Sequence, residues 1–224
     1  MAGNHRSSQI YFPPPGGNWE QFDALPPRDF QSAIDHALKN ESLLDRNIQK
    51  ALENRAFAEP PPWGDIIGKT RSREDPHGLI ILNGKVAAKW GDTRRPDITF
   101  SVAKSFLSLC AGLLQDDGLI PDFDAPISDL VDDGGFDSPH NKSITWRQMM
   151  QMTSEWQGSM WGKPDQVDHN RDLSVAPKDN AHKGNERVLK SPGSHWEYND
   201  VRVNRLALAL LRVAERPLPD LLRE

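Results

Sequence analysis

The stretch from Asp97 to Gly118, DITFSVAKSFLSLCAGLLQDDG, constrains this chain more than any other, because it reads as one amphipathic helix that opens on a serine and a lysine one turn apart. Val102, Phe106, Leu109, Cys110, Leu113 and Leu114 recur at intervals of three and four, the apolar stripe of a helix buried on one side. Thr99 or Ser101 is placed to cap the first turn with its hydroxyl, and Gly118 to end the helix. Lys104 follows Ser101 by three residues, so the two side chains share a face. A lysine among apolar neighbours near a helix's positive end is pushed toward its neutral, basic form, and a basic amine beside a hydroxyl activates it for nucleophilic acyl transfer. Taken by spacing alone, a capping serine beside a solvated lysine is the simpler account, because Ser-x-x-Lys arises about once by chance in a chain of this length.

The 224 residues suffice for one sizeable core, or for one domain plus part of another. A formal net charge of -5 provides no broad basic surface, which argues against a nucleic acid partner. No run approaches the roughly 20 apolar residues of a membrane span. The N-terminus, MAGNHRSSQIYFPPPGG, lacks the basic start and apolar core of a secretory signal, so a cytoplasmic protein without membrane contact is expected. The single cysteine, Cys110, lies on the apolar stripe and reads as a core thiol. The seven histidines show no metal-ligand spacing and no Gly-rich phosphate loop is present, so neither a metal nor a cofactor is expected. The acidic pairs Asp116-Asp117 and Asp132-Asp133 adjoin glycines and read as solvated charge in turns. Asp168, His169 and His182 fall in one long loop, where a Ser-His-Asp arrangement is a minor alternative.

Residues 1–28, rich in Pro and Gly with interspersed aromatics, read as an extended arm. Asp29 is placed to cap a helix in which Phe30, Ala33, Ile34, Ala37 and Leu38 recur at helical spacing, and a second helical stretch is expected from Leu43 to Leu52, before the Pro60-Pro61-Pro62 connector. The segment from Gly78 to Asp92 predicts a hairpin turning on Asn83-Gly84. Thr145-x-x-Gln148 has the form of a capping box before a short helix whose apolar face is Trp146, Met149, Met150 and Met152. The polar loop from Thr153 to Pro192 is long enough to line or cover a pocket. An amphipathic helix then follows Asp200, with Val201, Val203, Leu206, Leu208, Ala209, Leu210 and Val213 as buried positions, until Pro217 breaks it. Nothing after the hairpin reads as a strand of equal quality.

SVAKSFLS at Ser101, followed about a hundred residues later by PGSHWEYND before a long helix, resembles the serine β-lactamase and penicillin-binding-protein superfamily, nearest its class C-like esterases and 6-aminohexanoate-dimer hydrolases. NGKVAAKWGD before the serine, DDGLI after it and ITWRQMMQMTS in the middle fit the same resemblance, which runs from about Gly64 onward. It implies an α/β fold with a mostly helical region, β-lactamase-like (DD-peptidase-like), with residues 1–63 as an N-terminal arm and helices and 64–224 as the hydrolase domain. It further implies a serine hydrolase that cleaves a small-molecule ester or amide, a lactam included, through an acyl-enzyme without a cofactor. Ser101 matches the nucleophile, Lys104 the lysine that helps deprotonate it, and Tyr198 the tyrosine of a Tyr-x-Asn motif that moves protons, with Asn199 and Asp200 supporting. The backbone N–H of Ser101 supplies half of an oxyanion hole. Whether Lys104 or Tyr198 is the base stays open.

Two departures stand out. Asp200 replaces the amide of Tyr-x-Asn with a carboxylate that accepts hydrogen bonds but does not donate them when ionised. Paired with Lys104, it would hold the amine protonated and move the base role to Tyr198. The family's Lys- or His-[Ser/Thr]-Gly triplet does not follow the Tyr198 helix, so the C-terminal sheet strands are expected in a further segment of the same protein, which would be a partner to this one. A catalytically inactive binding module on the same fold is the alternative function.

Overall fold

The computed structural model describes residues 20–21, 29–53, 63, 68–173 and 181–223. They form two compact units, one built from the segments up to Glu53 and Thr70–Ile98, the other from Asn54–Lys69 and Thr99–Leu222. The arm expected over residues 1–28 and the Pro60-Pro61-Pro62 connector lie outside the described residues, apart from Glu20 and Gln21.

The first unit carries helices α1 (Gln31–Lys39) and α2 (Ile48–Glu53) and strands β1 (Gly78–Leu82) and β2 (Lys85–Trp90). Asp29 Oδ1 accepts from the backbone N–H of Gln31 at 2.8 Å and so satisfies a first-turn donor of α1. The second helix starts at Ile48 rather than Leu43: Leu43 is fully solvent-exposed, and Asn47 Oδ1 accepts from the Lys50 N–H at 3.2 Å and caps the helix there. Strands β1 and β2 pair antiparallel around Asn83 and Gly84, whose φ values of 50° and 80° are the left-handed pair that a type I′ turn needs. Val86 N–H donates to the Glu20 carbonyl at 2.8 Å, adding a bridge along β2.

The second unit is mostly helical. A 3-10 turn, Phe100–Val102, leads into α3 (Ala103–Asp116), followed by α4 (Trp146–Met150), the two-residue strands β3 (Ser159–Met160) and β4 (Lys163–Pro164), α5 (Asp200–Ala214) and α6 (Leu218–Leu221). Its core joins Leu114, Ile120, Phe136, Trp146, Val167 and Leu210, all at most 1% exposed. The capping box forms as the sequence predicts: Gln148 N–H donates to Thr145 Oγ1 at 3.2 Å, and Thr145 N–H to Gln148 Oε1 at 3.0 Å. Helix α5 buries Val201, Leu206, Ala209 and Leu210, while Val203, Leu208 and Val213 are half-buried. Cys110 is a buried free thiol.

Several expectations are corrected. The apolar residues of α3 divide between two faces. Cys110 and Leu114 are buried with Ala111, whereas Val102, Phe106, Leu109 and Leu113, spaced four, three and four apart, form one exposed stripe. Successive residues of an α-helix lie 100° apart, so the exposed row through 109 and 113 borders the buried row through 110 and 114, and a sequence apolar on both reads as one broad stripe. Neither Thr99 nor Ser101 caps the helix through its side chain, because Ser101 Oγ is engaged elsewhere. Asp133 is not merely solvated: it forms a two-point ion pair with the buried Arg205, whose guanidinium also lies 4.6 Å from the Phe136 ring centroid. The loop from Thr153 to Pro192 is organised around buried charge. Arg202 of α5 donates to the Trp156 carbonyl at 2.9 Å, to Glu155 Oε1 at 2.9 Å, to Glu197 Oε2 at 3.1 Å and to Asp165 Oδ2 at 3.0 Å. Arg187 grips Glu155 through two contacts of 2.6 Å. Buried carboxylates persist only when paired in this way.

Candidate active site

Ser101 stands in the single 3-10 turn ahead of α3, where the chain is tight enough to expose its side chain. Phe100 immediately before it has φ 46°, a left-handed conformation that bulky side chains rarely adopt and that clusters at functional positions. One turn on, Lys104 Nζ donates to Ser101 Oγ at 3.2 Å. From the start of α5, the Tyr198 hydroxyl donates to the same Oγ at 2.6 Å. Two proton-carrying groups thus converge on one exposed hydroxyl, one from three residues on and the other from 97 residues on.

Tyr198 is held in place from both ends. Glu197 before it is buried and bonded to Arg187 and Arg202. Asn199 after it is 1% exposed and caps α5: its Oδ1 accepts from Arg202 N–H at 3.1 Å, and its Nδ2 donates to the Asp165 carbonyl at 2.8 Å. Asn199 therefore orients the tyrosine through the backbone. Asp200 opens the helix and accepts from Lys104 Nζ on Oδ1 at 2.6 Å and from Arg171 Nη1 on Oδ2 at 2.7 Å.

This pairing holds Lys104 protonated, as the Asp200 departure implied and against the neutral amine that its apolar helix face alone suggested. Burial draws its ammonium down, but the Asp200 and Tyr198 hydrogen bonds outweigh burial and leave it above the ordinary lysine value. An apolar helix face alone would favour the neutral amine; a carboxylate at 2.6 Å does not. Asp200 is in turn lowered, burial pushing it up and the Lys104 and Arg171 hydrogen bonds bringing it below the usual carboxylate range. A cavity of about 340 Å³ adjoins the same pair, lined by Phe100, Ala103, Leu107, Val203 and Ala207.

The sequence did not single out Arg171 or Lys183. Arg171 lies 5.1 Å from the Tyr198 ring centroid, and Lys104 Nζ lies 4.7 Å from the same centroid. Behind it, Asp168 accepts from the Asp200 backbone N–H at 2.8 Å and pairs with Arg171 and Lys183 at 3.4 Å each. The signal that would have found Arg171 is Asp200 itself, since a carboxylate that gives one oxygen to a lysine has a second to give to another cation. His169 is buried against Asp165 at 3.0 Å and His182 is exposed, so the Ser-His-Asp alternative is not assembled at Ser101. Among the described residues no group of three or more His, Cys, Asp or Glu side chains is arranged to hold a metal. No helix among them is long and apolar enough to cross a membrane.

The Beta-lactamase family model matches residues 80–224, which is well over half of the chain and includes Ser101, Lys104 and Tyr198. The chain belongs to the Beta-lactamase family. No curated protein matches the sequence significantly. The family generally comprises serine hydrolases, and the small antiparallel sheets and the helices of this Beta-lactamase family chain are consistent with an α/β fold.

Proposed function

We propose that this protein is a serine hydrolase of the class C-like branch that cleaves an ester or amide bond, a lactam included, through an acyl-enzyme on Ser101. The observation that carries this is the convergence of Tyr198 OH and Lys104 Nζ on the exposed Ser101 Oγ at 2.6 and 3.2 Å. Because Asp200 holds Lys104 as an ammonium, the base role falls to Tyr198, which acts once its hydroxyl has shed the proton it donates to Ser101 Oγ. Ser101 Oγ attacks the acyl carbon while its proton passes to the Tyr198 oxygen, and the carbonyl electron pair becomes an oxyanion facing the Ser101 backbone N–H. Collapse expels the leaving group, which takes the proton back from Tyr198. Water then adds to the acyl-serine, giving its proton to Tyr198, and the acid departs as Ser101 recovers a proton. Lys104 stabilises the negative charge near Oγ throughout and moves no proton.

The Lys104–Asp200 ion pair also favours a second reading, a binding module in which an ammonium locked in that pair supports no turnover. Labelling the native source with a fluorescent fluorophosphonate separates the two. The hydrolase reading expects a labelled band that disappears in Ser101→Ala, and a folded protein that takes no label would replace it with the binding module.

A further inference from the structure

We propose that Arg171 is a positioning residue of the Ser101 site, acting through Asp200 and Tyr198 and touching no substrate. The inference rests on the serine hydrolase reading above and assigns a role to a residue outside the Ser-x-x-Lys and Tyr motifs. Asp200 offers two carboxylate oxygens. Lys104 takes one at 2.6 Å and Arg171 the other at 2.7 Å, so the carboxylate is clamped in one plane between two cations. Without the second, the carboxylate is free to turn both oxygens to Lys104 and draw its Nζ from Ser101 Oγ, a contact of only 3.2 Å.

The same guanidinium lies 5.1 Å from the centroid of the Tyr198 ring, where it stabilises negative charge that develops on the phenol oxygen. It is itself fixed from behind, being 17% exposed and paired with Asp168, which is 2% exposed and also holds the Asp200 N–H. Among the described residues, the charged and titratable groups that face this cluster are Lys104 from α3, Asp168 and Arg171 from the 165–171 segment, Lys183 beyond them, and Tyr198 and Asp200 at the start of α5. Lys104 and Arg171 set two positive charges against the one of the Asp200 carboxylate they share, and removing Arg171 abolishes that surplus. Burial and the Asp200 charge push the Asp168 carboxyl up, so the cluster is acid-sensitive at Asp168 first. Lys104 alone would leave the tyrosine beside a neutral ion pair; Arg171 makes its surroundings positive.

The test compares the wild type with Arg171→Met, Arg171→Lys, Asp200→Asn and the double variant Arg171→Met/Asp200→Asn, reading the rate of fluorophosphonate labelling of Ser101 against pH. A unit charge about 5 Å from the ring, screened as part-exposed groups are, is worth roughly a tenfold change. Arg171→Met is expected to slow labelling about tenfold near neutrality and to move the rising limb of the profile up by about one pH unit. Arg171→Lys is expected to restore the limb, because it restores the charge. In the Asp200→Asn background the Met substitution is expected to cost less than it does in the wild type, since half of what Arg171 holds is gone. An equal loss in both backgrounds, with an unmoved limb, marks a merely structural arginine and overturns the proposal. A second readout does not need activity: the titration midpoint of Lys104, followed by NMR on labelled lysine, is expected to rise in Arg171→Met and not in the double variant. An unchanged midpoint overturns the proposal as well. A wild type that takes no label at Ser101 sinks the hydrolase reading instead, and the lysine titration still decides the role of Arg171.

Discussion

Replacing Arg202 with Met tests whether the buried ion cluster fixes both the fold of the second unit and the placement of Tyr198. Arg202 is 4% exposed and donates to four acceptors, three of them carboxylates. Its removal leaves Glu155, Glu197 and Asp165 with Arg187 as the remaining guanidinium bonded to the first two, so three negative charges face one such cation. Uncompensating a buried charge costs about 3–5 kcal/mol, and Met replaces much of the lost volume, so the loss is electrostatic rather than a cavity effect. For a chain of this size that lowers the thermal midpoint by about 10 °C. Urea and thermal unfolding followed by tryptophan fluorescence read it directly, because Trp146 and Trp156 are buried in this unit. The Asn199 cap that orients Tyr198 accepts from the Arg202 backbone, which stays, but Glu197 beside Tyr198 loses a partner, so labelling of Ser101 is expected to fall too. A loss of under about 1 kcal/mol would refute the cluster as a stabilising element, since surface pairs are worth that much.

Acid should release the same cluster. Burial pushes the Glu155 carboxyl up, but Arg187, the Lys190 N–H and Arg202 bring it down from 4.5 to about 2. A depressed folded value gives stability that is complete above the unfolded pKa and fades as pH falls through about 4.5 toward about 2, on the order of 3 kcal/mol. Stability measured across that window is expected to fall for the wild type and to be flatter for Glu155→Gln. Two glycines make a contrasting pair: a Cβ at Gly135 would come within 2.3 Å of the Arg205 guanidinium, so Gly135→Ala is expected to cost about 1–3 kcal/mol. Gly112 in α3 has nothing within 4 Å of such a Cβ, so Gly112→Ala is expected to gain about 0.5–1 kcal/mol, and unfolding midpoints that rank the two variants otherwise contradict these placements.

Local chemistry was legible in this sequence, and long-range charge pairing was not. Asn83-Gly84 specified its turn because only left-handed φ values close that hairpin, and Thr145-x-x-Gln148 specified its cap because both bonds lie within four residues. The contact of Lys104 with Ser101 follows from helical geometry. The partners of Arg202 and Arg187 lie up to 47 residues away, and no period in the chain marks them. Asp133 reads as a solvated turn residue for the same reason, its partner Arg205 being 72 residues on. The face of α3 was ambiguous because the helix is apolar on two sides, and sequence alone does not say which side the core covers. At the site, Asp200 signalled a protonated Lys104, yet Arg171 and Asp168 came into view only once the loop was folded against α5.

The central claim is that Ser101 forms a covalent acyl intermediate, and the most direct measurement is the intact mass of the native protein mixed rapidly with an activated p-nitrophenyl ester. The account predicts a stoichiometric burst of p-nitrophenol, an acyl mass on the peptide that contains Ser101, and loss of both in Ser101→Ala. A folded wild-type protein that shows neither burst nor adduct would contradict it.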